Sequence, residues 1–170
     1  MDEPDSDGET PFCLAIRLGH LNGLKMLLSM RPAAHKAGKI RGNPLTSAAE
    51  FGRDGILELL LENYHNLRNY SNDIRQALIV ATKAGYHSTM KLILQHCATV
   101  EDAERSRSCA LFYAAQKKDK KTTLLLLDAG AVTLKAEDLG FLDDTESKAV
   151  EEAHKYVQEL RGSFPRMTGT

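Results

Sequence analysis

TPFCLAIRLGH, residues 10–20, sets a cysteine and a histidine seven positions apart, between a proline and a glycine. Taken alone, the stretch suggests a nucleophile and its base, Cys13 and His20. Taken with the rest of the chain, it is the first copy of a recurring unit. Steps of 33 residues from Ala15 land on Ala48, Ala81 and Ala114, and from Leu28 on Leu61, Leu94 and Leu127. The position before reads Leu27, Leu60, Ile93, Leu126, and the one before that Met26, Leu59, Leu92, Leu125. Glycine recurs at 19, 52 and 85, and Lys118 takes its place in the last copy. Four copies in one register, with no insertion between them, are the mark of a stacked array.

Each copy reads sensibly as local structure. PFCLAIRL, PLTSAAEF, ALIVATKA and ALFYAAQK are short helical segments with small residues where helices approach. Pro11 and Pro44 suit a first helical turn, where the missing N–H costs nothing. The three glycines permit a left-handed residue that ends this helix. A second helix follows in LNGLKMLLSM, DGILELLLEN, HSTMKLILQH and KKTTLLLLDA, and Leu124 to Leu127 predict burial on several sides of the last one. A helix–turn–helix of this size cannot hide its apolar stripe alone, so neighbouring copies must cover one another.

With the motifs TPFCLA-x-x-x-GH in the first copy and LLLLDAGA in the fourth, residues 7–133 resemble ankyrin repeats. The expected fold is therefore all-α, an ankyrin-like helical repeat solenoid of four helix–turn–helix repeats with a C-terminal capping helix. Cys13 stands where the family usually has histidine, and Thr46, Ile79 and Phe112 hold that core position in the other copies. His20 lies at the family's helix-turn histidine, matched by Arg53, Tyr86 and Asp119. The third and fourth copies lack the Thr-Pro start, reading Gln76-Ala77 and Cys109-Ala110. Only the fourth keeps Ala-Gly-Ala, at residues 129–131; Tyr64 and Cys97 replace that glycine elsewhere. Irregular turns between repeats, with distorted or missing hairpins, are expected. Cys13 then reads as a small buried hydrophobe rather than a catalytic thiol.

The organisation expected is a repeat array over residues 1–133, with repeats starting near 10, 43, 76 and 109. A degenerate capping segment and helix follow over 134–162, then a flexible tail over 163–170. In TESKAVEEAHKYVQELRG, the residues Ala149, Val150, Ala153, Tyr156, Val157 and Leu160 form one apolar stripe. It reads as a lid on the last repeat, the alternative being a detachable partner helix. Asp143 with Glu146 is the capping pair expected for it.

Composition narrows the function. The formal net charge of −1 offers no general attraction to nucleic acid or acidic membranes. Three cysteines, an odd number, fit a reducing compartment, and the acidic MDEPDSDGE start lacks a secretory apolar stretch. Location is expected to be cytoplasmic or nuclear. His87, His96 and Cys97 lack metal-ligand spacing, and no phosphate-cradling glycine motif occurs. No catalytic, cofactor or metal site is expected, and no cofactor is needed. The basic run KKDKK, 117–121, reads as a solvated turn or a contact for acidic protein or phosphate.

The resemblance places the two residues before each turn glycine on the concave side of the stack. Here they are Arg17 and Leu18, Glu50 and Phe51, Lys83 and Ala84, and Gln116 and Lys117. Leu18 and Phe51 would form an exposed apolar patch where partners dock, unless either folds against its own stack. Glu9, Lys39, Ile40, Asn72, Asp73, Arg75, Ser106 and Arg107 are candidate rim contacts in the inter-repeat stretches. The expected function is a protein–protein interaction module or adaptor, not an enzyme, acting as a monomer on an acidic or mixed-charge protein or peptide. The open alternative is a solenoid groove adapted to small-molecule binding or catalysis.

Overall fold

The computed structural model describes residues 10–30, 43–64, 70–97, 103–135 and 144–163. Glu9, Lys39, Ile40, the proposed Asp143 cap and the tail from 164 lie outside them. Among the described residues the secondary structure is entirely helical: α1 (Pro11–Leu18), α2 (Leu21–Met30), α3 (Pro44–Glu50), α4 (Asp54–Tyr64), α5 (Tyr70–Ala84), α6 (His87–Cys97), α7 (Ala103–Gln116), α8 (Lys120–Asp128) and α9 (Asp144–Ser163). None is long and apolar enough to cross a membrane. The chain divides into two compact units, residues 1–101 and 102–170. This is the all-α helical repeat architecture.

In the first unit, three hairpins stand side by side in two layers. The first helices pack α1 on α3 on α5, and the second helices α2 on α4 on α6. Small residues let the first layer close up: Ala48 and Ala81 are fully buried and Ala15 nearly so. The apolar second-helix positions Leu57, Leu60, Leu61, Met90 and Ile93 seal the space between layers. In the second unit α7 and α8 form the same hairpin, and α9 packs on α7 through Val150, Ala153, Val157 and Leu160. The lid stripe read from the sequence thus faces the fourth hairpin. Of Leu124 to Leu127, Leu126 is fully enclosed and the other three are half-buried.

The tight turn within each hairpin has one design. A left-handed residue follows the first helix: Gly19, Gly52, Gly85 and, in the fourth copy, Lys118 with φ 54°. The next residue donates its N–H back to the column alanine: His20 to Ala15, Arg53 to Ala48, Tyr86 to Ala81, Asp119 to Ala114, at 2.9–3.1 Å. That closes the carbonyls of the first helix as a Schellman cap does. The same residue's carbonyl accepts the first bond of the second helix, from Leu24, Leu57, Met90 and Thr123. One residue therefore ends one helix and starts the next, which explains why the copies tolerate no insertion there.

The helix starts differ between copies. Thr10 and Asn43 cap α1 and α3 just ahead of Pro11 and Pro44, accepting from the N–H groups of Cys13 and Thr46. Without that proline, α5 and α7 run further back, to Tyr70 and Ala103, so helix replaces the turn expected there. The stretches holding Asn72, Asp73, Arg75, Ser106 and Arg107 are thus helical rather than irregular. Ser106 is buried, and the Arg107 Nε is enclosed without a hydrogen-bond partner. Asp73 accepts from Asn43 Nδ2 at 3.1 Å, tying the start of α3 to α5. Burial pushes its carboxyl above the ordinary value, with the Asn43 bond opposing.

The lid touches the turn of the fourth hairpin: the Tyr156 hydroxyl donates to the Lys118 carbonyl at 2.9 Å. Burial, and secondarily the Asp119 carboxylate, push that phenol's pKa up and keep it a donor. A left-handed L-residue costs about 1–2 kcal/mol, and glycine forfeits about 0.5–1 in chain entropy. Lys118→Gly should therefore stabilise by about 0.5–1 kcal/mol, raising the melting temperature by roughly 1–4 °C in thermal unfolding. A lower melting temperature would show that the lysine side chain contributes more than its backbone costs.

Candidate protein-binding surface

The residues at the ends of the first helices form the candidate surface. In the first unit, α1 ends at Arg17 and Leu18, α3 at Glu50 with Phe51 as its cap, and α5 at Lys83 and Ala84. All six are exposed. Since α1, α3 and α5 lie in one layer, these ends share one edge. Gln116 and Lys117 hold the same position at the end of α7 in the second unit and are exposed too. Leu18 is 51% exposed and Phe51 39%, so neither folds beneath its own helices.

Two residues that register marked only as turn positions belong to this edge. The Arg53 guanidinium donates to the Arg17 carbonyl from Nε at 3.3 Å and Nη2 at 3.0 Å. It lies over Gly19, whose hypothetical Cβ would sit 3.3 Å from it. The Tyr86 ring lies over Gly52 at the same separation and is 41% exposed. Gly19 and Gly52 thus do two things: each adopts the left-handed conformation and leaves a flat seat for the next repeat's side chain, whereas Gly85 serves the turn alone. The signal was present in sequence as a bulky residue following each glycine, but spacing alone does not say that it reaches back one repeat.

The chemistry of the remaining candidates is plain. Cys13 is buried, with its sulfur 2.9 Å from the Thr10 hydroxyl, while His20 is exposed. Among the described residues no three His, Cys, Asp or Glu side chains gather as metal ligands. His87 and His96 are half-buried at opposite ends of α6, and the His96 imidazole is bonded to the Leu92 carbonyl. A recess in the second unit, with a volume of about 10 Å³, is lined by Phe112, Leu134, His154 and Val157 among others. That is room for about one water molecule. The lysines of the α7–α8 turn, Lys117, Lys118, Lys120 and Lys121, are all exposed, and Asp119 among them caps α8 through the Thr122 N–H.

Stacked hairpins with an exposed, chemically varied edge and a buried structural cysteine define a helical-repeat protein. The family profile for ankyrin repeats, in three copies, matches residues 45–137, more than half of the 170-residue chain. The chain belongs to the ankyrin repeat family. The crystal structure of EF0377, an ankyrin repeat protein, superposes with a TM-score of 0.66 at 22% identity, covering 96% of this chain and 84% of that one. Human transient receptor potential cation channel subfamily A member 1 is 29% identical over 131 residues, which is 75% of this chain. The chain spans only 12% of the length of that channel protein. Ankyrin repeats generally serve as protein–protein interaction modules rather than catalysts.

Proposed function

We propose that this chain is an interaction module or adaptor that grips a partner protein or peptide along the edge formed by Arg17, Leu18, Glu50, Phe51, Lys83 and Ala84 in the first unit, with Gln116 and Lys117 offering the equivalent helix-end position in the second. The observation that carries this reading is the exposure of Leu18 and Phe51 at equivalent positions of successive repeats. Apolar side chains left in water at matched positions gain most from a partner that covers them. Aromatic anchors dominate interface energies, which puts Phe51 first. Across all eight positions the basic residues Arg17, Lys83 and Lys117 outnumber the single acid Glu50, favouring an acidic or mixed-charge partner. The chain acts as a monomer, in cytosol or nucleus, and needs no cofactor. Its rigid stack presents the surface preformed, so the backbone should change little on docking.

Phe51→Ala and Lys83→Glu should each weaken partner binding, Phe51→Ala by about tenfold or more. Both side chains are exposed, so thermal stability should shift by less than about 0.5 kcal/mol. Partners recovered by affinity purification with the wild-type chain, lost with Phe51→Ala, and measured by calorimetry supply the check. Undiminished binding by both variants overturns the assignment of this edge.

A further inference from the structure

Within the first unit each repeat reaches back to the one before it at fixed register positions. Arg53 bonds to the Arg17 carbonyl, and Tyr86 lies over Gly52. Two residues past Arg53, a Cβ at Gly55 would sit 3.6 Å from the Leu21 side chain. Three residues past Tyr86, the Thr89 hydroxyl donates to the Asp54 carboxylate. In the first repeat His20, Asn22 and Gly23 hold these positions. His20 and Asn22 are exposed, and a Cβ added at Gly23 would meet only the His20 side chain.

The rest of this face is apolar. Pro11 is exposed, whereas Pro44 and Ala77 at the same register position are buried. Leu27 is half-buried where Leu60 and Ile93 are fully enclosed. Met26 is 59% exposed, against half-buried Leu59 and Leu92, and Met30 one turn further on is 57% exposed. The terminal repeat of a solenoid ordinarily turns a polar face outward, but here the first repeat keeps the pattern of an internal one. We infer that this face is a second docking surface, separate from the helix-end edge. It receives a helical hairpin of a partner polypeptide, apolar on its inner side and acidic at its rim.

Two observations choose that occupant. The first is continuity with the packing between repeats. Elsewhere in the unit the same register face is met by a helical hairpin, as α3 packs on α1 and α4 on α2. Gly23 leaves a notch where Ile56 and Thr89 fill the space in the other repeats, so the incoming hairpin can set a side chain into it. The second is charge. Residues 10–30 hold Arg17, His20 and Lys25, all exposed, and no aspartate or glutamate. Two copies meeting face to face would bring these cations together with no acid to pair them, whereas an acidic rim is attracted. Residues 1–9, MDEPDSDGE, supply carboxylates but only Met1 and Pro4 as apolar side chains, too few to cover two helices.

The probe is a copy of the second repeat, residues 43–75, which carries Glu50, Asp54, Glu58 and Glu62 and already packs on α5 and α6. Placed directly ahead of Thr10 in the full chain, it keeps the register of the array. The extended chain should melt at least about 5 °C above the wild type. Met26→Glu combined with Met30→Glu should abolish that rise, while shifting the unextended chain by less than about 2 °C, since both side chains face water there. Cleavage at a protease site engineered into the junction should leave the hairpin bound on gel filtration, as docking between separate polypeptides requires. No rise in melting temperature, a rise that survives both methionine changes, or release of the hairpin on cleavage overturns the inference. So does a concentration-dependent dimer of the unextended chain that Met26→Glu abolishes, because the face would then belong to a second copy.

Discussion

A Leu78→Ala chain is expected to unfold roughly 5–15 °C below the wild type, a loss of about 2–5 kcal/mol. Leu78 is fully buried on α5, which packs on both α3 and α6. It occupies the same repeat position as Phe12, Leu45 and Leu111, which are 3%, 1% and 1% exposed. Removing its side chain both forfeits apolar transfer energy and leaves a cavity that rigid neighbouring repeats cannot easily collapse. Because repeats are stabilised by their neighbours, the loss should spread to the α3–α4 hairpin on which α5 and α6 pack. Leu18→Ala is the control: the same chemical change at a half-exposed position should cost far less. Urea titration with circular dichroism measures both. Equal midpoints would mean that the column through Leu78 is not the core of the stack.

The contrast shows what could be read from the chain alone. The recurring Ala15, Ala48, Ala81 and Ala114 were legible because each is buried where its own unit packs closely, so the residue is the same in every copy. The Leu78 column is as deeply buried, yet Phe12 alternates there with leucine, since a core position constrains volume and polarity more than identity. Pro11 and Pro44 predicted helix starts correctly, because proline acts through local geometry. The early starts of α5 and α7 were missed, since the absence of proline does not say how far a helix will run back. Burial of Ser106 followed from that miss. For the candidate surface, register alone supplied the helix-end pairs. Arg53 and Tyr86 were hidden because their roles depend on reaching across to another repeat, a distance no spacing rule encodes.

Gly52→Ala and Gly85→Ala should have unequal effects, although both glycines are left-handed, with φ of 60° and 78°. At Gly85 an added Cβ meets nothing within 4 Å, so the cost is backbone strain alone, about 1–2 kcal/mol. At Gly52 the same strain applies, and the new carbon lies 3.3 Å from the Tyr86 ring. That contact is tight, so the ring must give by a few tenths of an ångström, adding up to about 1 kcal/mol to the strain. A shifted Tyr86 also alters the edge beside Phe51. Gly52→Ala should therefore lose stability and weaken partner binding together, while Gly85→Ala loses only stability. Thermal unfolding, and calorimetry with an affinity-purified partner, on the two variants separate the terms. Should both variants bind alike and melt alike, the glycine serves the turn only, and the ring that rests on it is no part of the recognition surface.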